Sequence, residues 1–277
     1  MKVIKQIISF YINSSIHVAL AVCALAYITI LNFDLPKSID LLIFTFFATV
    51  TGYNFVKYFG IAKFHHRSLA PDLRYIQIFS LLCFIGLVYY TLKLPAKTLW
   101  YLGGLAAITF FYAIPFLPKS LFFEGKKNLR AISGLKIYVI AFVWAVTTVI
   151  IPIVNANEPV SHDALVFAFQ ILIYVLVAML PFEIRDIQYD SLKLATIPQR
   201  IGLKKTKLFG IFLLLVFFML EFLKDHLRIE NVIIIGIITI ITFGFLMRSR
   251  VNQSEYYSSF FIEAIPILWL GLILLIN

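Results

Sequence analysis

The chain has 277 residues, 61% of them hydrophobic and only 14% charged, with a mean hydropathy of +0.94 and a net charge of +10. That composition excludes an ordinary soluble domain, and continuously apolar runs of about 18 residues or more recur along its whole length, the pattern of transmembrane helices. Strands of a membrane barrel alternate apolar with polar, so the expected fold is all-α: a polytopic, single integral-membrane domain over residues 1–277. Lys and Arg gather in the loops of membrane proteins, so the positive charge implies contact with membrane lipids and no nucleic-acid partner.

In chain order, Lys2 and Lys5 precede a first run at 7–31, interrupted by Asn13, Ser14, Ser15 and His17. These polar residues argue against a cleaved signal sequence, so the run is read as one retained helix. Cys23 lies in it and Cys83 in the third run; neither has a partner at metal-ligand spacing, and no disulfide framework follows. The second run, 39–60, ends in "TGYNFVKYFGIAK" and is followed by a polar connection at 61–73. His65 and His66 in that connection lack nearby acidic or Cys partners and are read as loop residues. The third and fourth runs, 74–92 and 97–117, lead into "YAIPFLPK" and a basic loop with Lys119, Lys126, Lys127 and Arg130, suited to anionic lipid headgroups. The remaining runs are 132–155, 163–182, 206–224, 231–247 and 259–276, making a nine-helix bundle.

Placing the N-terminus in the cytoplasm puts nineteen of the 24 Lys and Arg residues on the inner side. That bias predicts a plasma- or inner-membrane protein with an external C-terminus. The longest polar connections, 61–73, 118–131 and 183–205, then share the cytoplasmic face and mark it as the place for a site.

The sixth run continues into "PFEIRDIQYDSLKLATIPQRIG". On a continued helix Glu183, Asp186 and Asp190 share one face, because residues three and four apart are neighbours. Like charges there repel, and Mg²⁺ suits the offsetting role: it binds one or two carboxylates and completes its shell with water and phosphate. Arg185 and Lys193 stand beside the acids and are suited to phosphate. The plainer alternative is a solvated loop in which Arg185 and Lys193 neutralise the acids.

Taken whole, "EIRDIQYDSLKLATIPQRIG" resembles the second aspartate motif of the UbiA superfamily of intramembrane prenyltransferases, approximately D-x-x-D-x-x-x-D followed by Lys and Thr-x-Pro-x-x-x-Gly. Glu183 stands at the first acidic position; Asp186, Asp190, Lys193, Thr196, Pro198 and Gly202 follow. "YAIPFLPK" is similar to the family's tyrosine–proline–lysine segment. The resemblance implies a nine-helix transferase that moves a prenyl group from a polyprenyl diphosphate to a lipophilic, often aromatic, acceptor. It implies Mg²⁺ on Asp186 and Asp190 with Glu183 in support. Arg185, Lys193 and Lys119 would bind diphosphate, and Tyr112, Asn54 and Lys57 would line the pocket. The chain departs from the family at the first motif, N-D-x-x-D: Asn54 is present, but Phe55 and Tyr58 replace the acids, and no carboxylate occurs between Asp40 and Asp72. Two outcomes are open. Lys57 supplies directly the positive charge a metal supplies elsewhere, or the protein is a non-catalytic isoprenoid-lipid-binding or scaffold protein. A transporter would need ionisable residues near the middle of the bundle.

Overall fold

A computed structural model of the chain describes residues 2–58, 71–113, 134–187 and 196–276. Lipid offers no hydrogen-bond partners, so a spanning chain closes its backbone bonds within each helix. Accordingly the described residues form helices and no strands. These are α1 (Lys2–Asn13), α2 (Ile16–Asn32), α3 (Ile39–Tyr58), α4 (Pro71–Thr91), α5 (Ala96–Ala113), α6 (Leu135–Ala145), α7 (Ile151–Asn155), α8 (His162–Asp186), α9 (Ile197–Met219), α10 (Ile229–Arg248) and α11 (Ile265–Ile276). A π-turn, Val146–Ile150, joins α6 to α7, and a second, Tyr257–Ile262, leads toward α11.

Seven helical stretches among the described residues are long and apolar enough to cross a membrane. The chain is an integral membrane protein on that basis; the described residues give seven or eight of the nine expected spans and differ from the expectation in two places. The first run is not one straight helix. It breaks at Ser14 and Ser15, and the α1 segment from Gln6 meets α2 at 54°; counted as one span, the pair makes an eighth. The run expected at 97–117 forms the 18-residue α5, which is not among the seven. Lys97, Trp100, Tyr101 and a Gly pair dilute its apolar character.

The break in the first span has a local cause. Ser15 adopts a left-handed backbone (φ 64°), which interrupts the helical ladder and leaves peptide groups to be satisfied by neighbours. The same Ser and Asn side chains that thin out the apolar run compete with helical hydrogen bonding.

α8 is the central pillar. In its spanning window 61% of residues are buried inside the protein, against 11% for α4. Ser161 caps it, its Oγ accepting the Ala164 N–H at 3.2 Å, and the helix carries on past Pro181 to Asp186. Around its middle Phe167, Tyr174, Phe217 and Trp269 interlock edge to face, with Tyr174 and Phe217 ring centroids 5.8 Å and 5.9 Å from Trp269. Edge-to-face pairing is the favoured geometry for such rings. Large apolar side chains on the outside, among them Leu81, Leu82, Leu208, Phe212 and Ile240, are exposed, as expected of surfaces that meet acyl chains.

Close approach of α9 to its neighbours depends on Gly210, where an added Cβ would lie 2.5 Å from Leu246 Cδ2 and 2.8 Å from Leu180 Cδ1. Gly210→Leu is expected to cost about 1–3 kcal/mol by overpacking, seen as a lower thermal midpoint in detergent. Gly103→Leu, at a position with open space around it, is the control. Equal midpoints for the two variants would contradict this packing.

Candidate functional site

Five elements bring polar side chains together at one end of the bundle: the α1–α2 break, the ends of α3 and α8, the start of α9, and the turn preceding α11.

The first layer repairs the broken span. Asn54 on α3 is buried. Its Nδ2 donates to the Ser14 carbonyl at 3.0 Å and to Ser80 Oγ at 2.8 Å, and its Oδ1 accepts from Ser15 Oγ at 2.8 Å. One turn on, Tyr58 donates to the Asn13 carbonyl at 3.0 Å. Asn54 and Tyr58 are thus i and i+4 on the helix face that receives the opened peptide groups. Between them Lys57 donates from Nζ to Ser15 Oγ at 3.1 Å. His17, just past the break, is buried as well. Its Nδ1 lies 2.8 Å from Tyr11 Oη and its Nε2 lies 2.8 Å from the Phe260 carbonyl, so Nε2 carries the proton and Nδ1 accepts from Tyr11.

The second layer is the carboxyl end of α8. Glu183, buried at 2% exposure, turns toward α9 and accepts the Ile197 N–H on Oε2 at 3.3 Å. An anion is stabilised there by the free amides and dipole of a helix start. The segment that resembles a family motif has a local structural account. Thr196 is the N-cap, with its N–H bonded to Gln199 Oε1 at 3.0 Å. Pro198 sits in the first turn, where its missing N–H costs nothing. Gly202 takes φ 78° at a kink, a conformation open to Gly and strained for other residues. Asp186 pairs with Arg185, Nε to Oδ1 at 2.7 Å, and the Arg185 guanidinium lies over the Phe182 ring at 5.5 Å.

The two layers meet at Glu263. This carboxylate is enclosed by protein, yet part of its surface remains within reach of water, and it lies within electrostatic range of both Lys57 and Arg185. Among the described residues it accepts no hydrogen bond and forms no ion pair within 4.0 Å. Glu263 therefore lies near both cations without bonding to either.

Of the residues expected from the sequence, Lys57 and Arg185 are brought within electrostatic range of Glu263. Asn54 is committed to the broken backbone, Glu183 to the start of α9, and Asp186 Oδ1 to Arg185. The expected shared face of Glu183 and Asp186 thus divides between two different partners. Asp190, Lys193 and Lys119, with His65 and His66, lie outside the described residues, as does the side chain of Tyr112.

Sequence reasoning missed Glu263, His17 and Tyr11 as site residues. Glu263 did carry a signal, since an ionisable residue inside an apolar run is a functional candidate by default.

The opposite end holds polar groups of another kind. Glu221 and Lys224 pair at 2.6 Å with side chains 0% and 7% exposed, and Gln170 donates to Glu221 Oε2 at 3.0 Å. Burial pulls the Lys224 ammonium below its ordinary value, while Glu221 opposes the shift. His162, Asp163 and Asp225 also cluster there, but Asp163 is occupied with the Asp225 and His226 backbone N–H groups at 2.6 Å and 3.1 Å.

No family model, no curated protein and no solved structure matches this chain.

Asn54→Leu would strand the Ser14 carbonyl inside the bundle. An unpartnered buried polar group costs about 1–3 kcal/mol, so the variant is expected to melt clearly earlier in detergent even without ligand. A midpoint equal to that of the unmodified protein would contradict the structural role given to Asn54.

Proposed function

We propose that this protein is an intramembrane prenyltransferase of UbiA type, which moves a prenyl group from a polyprenyl diphosphate to an aromatic or lipid acceptor. The observation that carries the reading is that Lys57 and Arg185, from the ends of α3 and α8, both lie within electrostatic range of Glu263 at one end of an apolar bundle. An isoprenoid tail partitions into such a bundle, and its headgroup needs positive charge where the tail enters. Lys57 offers a point charge and Arg185 a planar fork to phosphate oxygens. Lys193 and Lys119 are proposed to add to that grip, with Tyr112 lining the pocket. Departure of the diphosphate is favoured by cations already in place, because preorganised charge acts strongly where water is excluded. Aromatic side chains at this end, such as Phe182 beside Arg185, would steady positive charge that develops on the allylic carbon. Mg²⁺, held by Asp186 and Asp190 with Glu183 in support, would supply further neutralisation of the leaving group when bound. The charge bias of the loops supports a cytoplasmic N-terminus and a site on the cytoplasmic face.

A second reading has its own support. Phe55 and Tyr58 stand where a first metal site would need acids, and Asn54, Glu183 and Asp186 all have structural partners. These features favour a non-catalytic protein that binds isoprenoid lipid or serves as a scaffold.

Purified protein in lipid nanodiscs, given labelled farnesyl diphosphate, Mg²⁺ and a panel of phenolic and quinoid acceptors, separates the two. The expected result is metal-dependent product and pyrophosphate release, with Asp186→Asn slowing it about 100-fold or more. Turnover unaffected by Asp186→Asn would contradict the proposed site, and binding without turnover across the panel would favour the lipid-binding protein.

A further inference from the structure

α1 is packed into the bundle through its last turn. Phe10 meets Phe79 of α4 edge to face, with ring centroids 5.8 Å apart. Ile12 is buried, and Tyr11 Oη lies 2.8 Å from His17 Nδ1. Nearer the N-terminus the helix stands free: Ile4, Ile7 and Ile8 are 63%, 63% and 40% exposed. These three recur at i, i+3 and i+4 and share one face. Gln6, Ser9 and Asn13 share the opposite face, where Asn13 Nδ2 donates to Ser9 Oγ at 3.1 Å. α1 is therefore amphipathic, whereas α2 is apolar on nearly every side.

The depth of the break is fixed by a neighbour. Tyr58, the last residue of the spanning helix α3, donates to the Asn13 carbonyl at 3.0 Å. The α1–α2 break thus lies level with the end of a full span. α2 by itself has 17 residues, about 25 Å of helix, which is enough to cross. Continued straight, α1 would carry about 18 Å of helix beyond that level. It turns by 54° instead and leans on α4, whose spanning window is only 11% buried inside the protein and so borders lipid. A helix beside lipid with one apolar and one polar face is matched at the boundary between headgroups and acyl chains. Deeper in the bilayer its polar face would be stranded. The sequence of α1 also holds Lys2 and Lys5 and no acid, which adds attraction to anionic headgroups.

We propose that α1 is an interfacial helix: it lies along the membrane surface at the candidate-site end, with Ile4, Ile7 and Ile8 in the outer acyl region and a preference for anionic lipid. The first crossing then begins at Ile16. Because the last turn of α1 bonds His17 and Tyr58, this lipid-held helix is tied directly to the candidate site.

Spin labels test the placement. They are attached singly to Ile4→Cys, Gln6→Cys, Ile7→Cys, Ile8→Cys and Ser9→Cys in a Cys23→Ala, Cys83→Ala background. The protein is held in vesicles of phosphatidylcholine with phosphatidylglycerol, and collisions with oxygen and with a water-soluble nickel chelate report depth. Labels at Ile4, Ile7 and Ile8 are expected at one common depth, about 5–10 Å into the boundary, with those at Gln6 and Ser9 in contact with water. Depth that grows steadily along the helix, by about 1.5 Å per residue, describes a membrane-crossing helix and overturns the proposal. Water contact at all five positions does so too, and spin–spin broadening at Ile4 and Ile7 would put a second copy of the chain on this face in place of lipid. Hydrogen exchange of the unmodified chain in nanodiscs is independent of the cysteine-free background. The α1 amides should exchange at least about fivefold more slowly with phosphatidylglycerol present than in phosphatidylcholine alone, the effect of one lysine near an anionic surface. Lys2→Gln with Lys5→Gln should remove that difference. Equal exchange of the unmodified chain in the two lipids, or a difference that survives both substitutions, contradicts the anionic preference.

Discussion

A polar group inside an apolar bundle must be matched, and the way this chain meets that demand organises everything else at one of its ends. The first span breaks at Ser14 and Ser15, opening peptide groups that lipid cannot satisfy. α3 answers with Asn54 and Tyr58, which bond the Ser14 and Asn13 carbonyls. That repair fixes the register of α3 against α1 and α2, and Lys57 is carried with it, its ammonium on Ser15 Oγ. The cation is therefore positioned by the structural solution to a backbone problem. On the other side, Pro181 and the turn at Tyr257–Ile262 set the approach of α8 to the segment bearing Glu263. Gln253 ties the two by donating to the Pro181 carbonyl and to Ser258 Oγ, each at 2.8 Å.

The two ends of the bundle solve the same electrostatic problem differently. At the far end Glu221, Lys224 and Gln170 close directly on one another, with Lys224 also over the Phe167 ring at 5.0 Å. Such a closed pair holds α8 to the end of α9 and leaves its cation no freedom to take a ligand. At the near end Lys57 and Glu263 lie within electrostatic range of one another without an ion pair within 4.0 Å. Separation of matched charges is costly in a low-dielectric setting, and it is the arrangement expected where a polar guest completes the set. That contrast is the ground for taking the near end as the candidate site.

Much of the fold was legible in the sequence because its signal is local. Continuous apolar runs marked every one of the seven long helices, and Thr196, Pro198 and Gly202 are residues whose cap, first-turn and positive-φ roles depend on their immediate neighbours. The break in the first span was visible as Asn13, Ser14 and Ser15, yet apolar residues on both sides outweighed them in a reading based on average hydropathy. The site was less legible, because its defining contacts span the chain. Nothing at 57 or 185 points to 263, and the pairing depends on how α3, α8 and the last span pack. Spacing alone put Glu183 and Asp186 on a common metal-binding face. In the structure the first accepts the Ile197 N–H at the start of α9 and the second pairs with Arg185.

The most direct test of the central claim is a structure of the protein determined in lipid with a thio-substituted prenyl diphosphate and Mg²⁺. The account predicts headgroup density between the ends of α3 and α8, with Lys57 and Arg185 on its oxygens and the tail running into the bundle. Density that lies elsewhere, with Lys57 still on Ser15 Oγ, would contradict it.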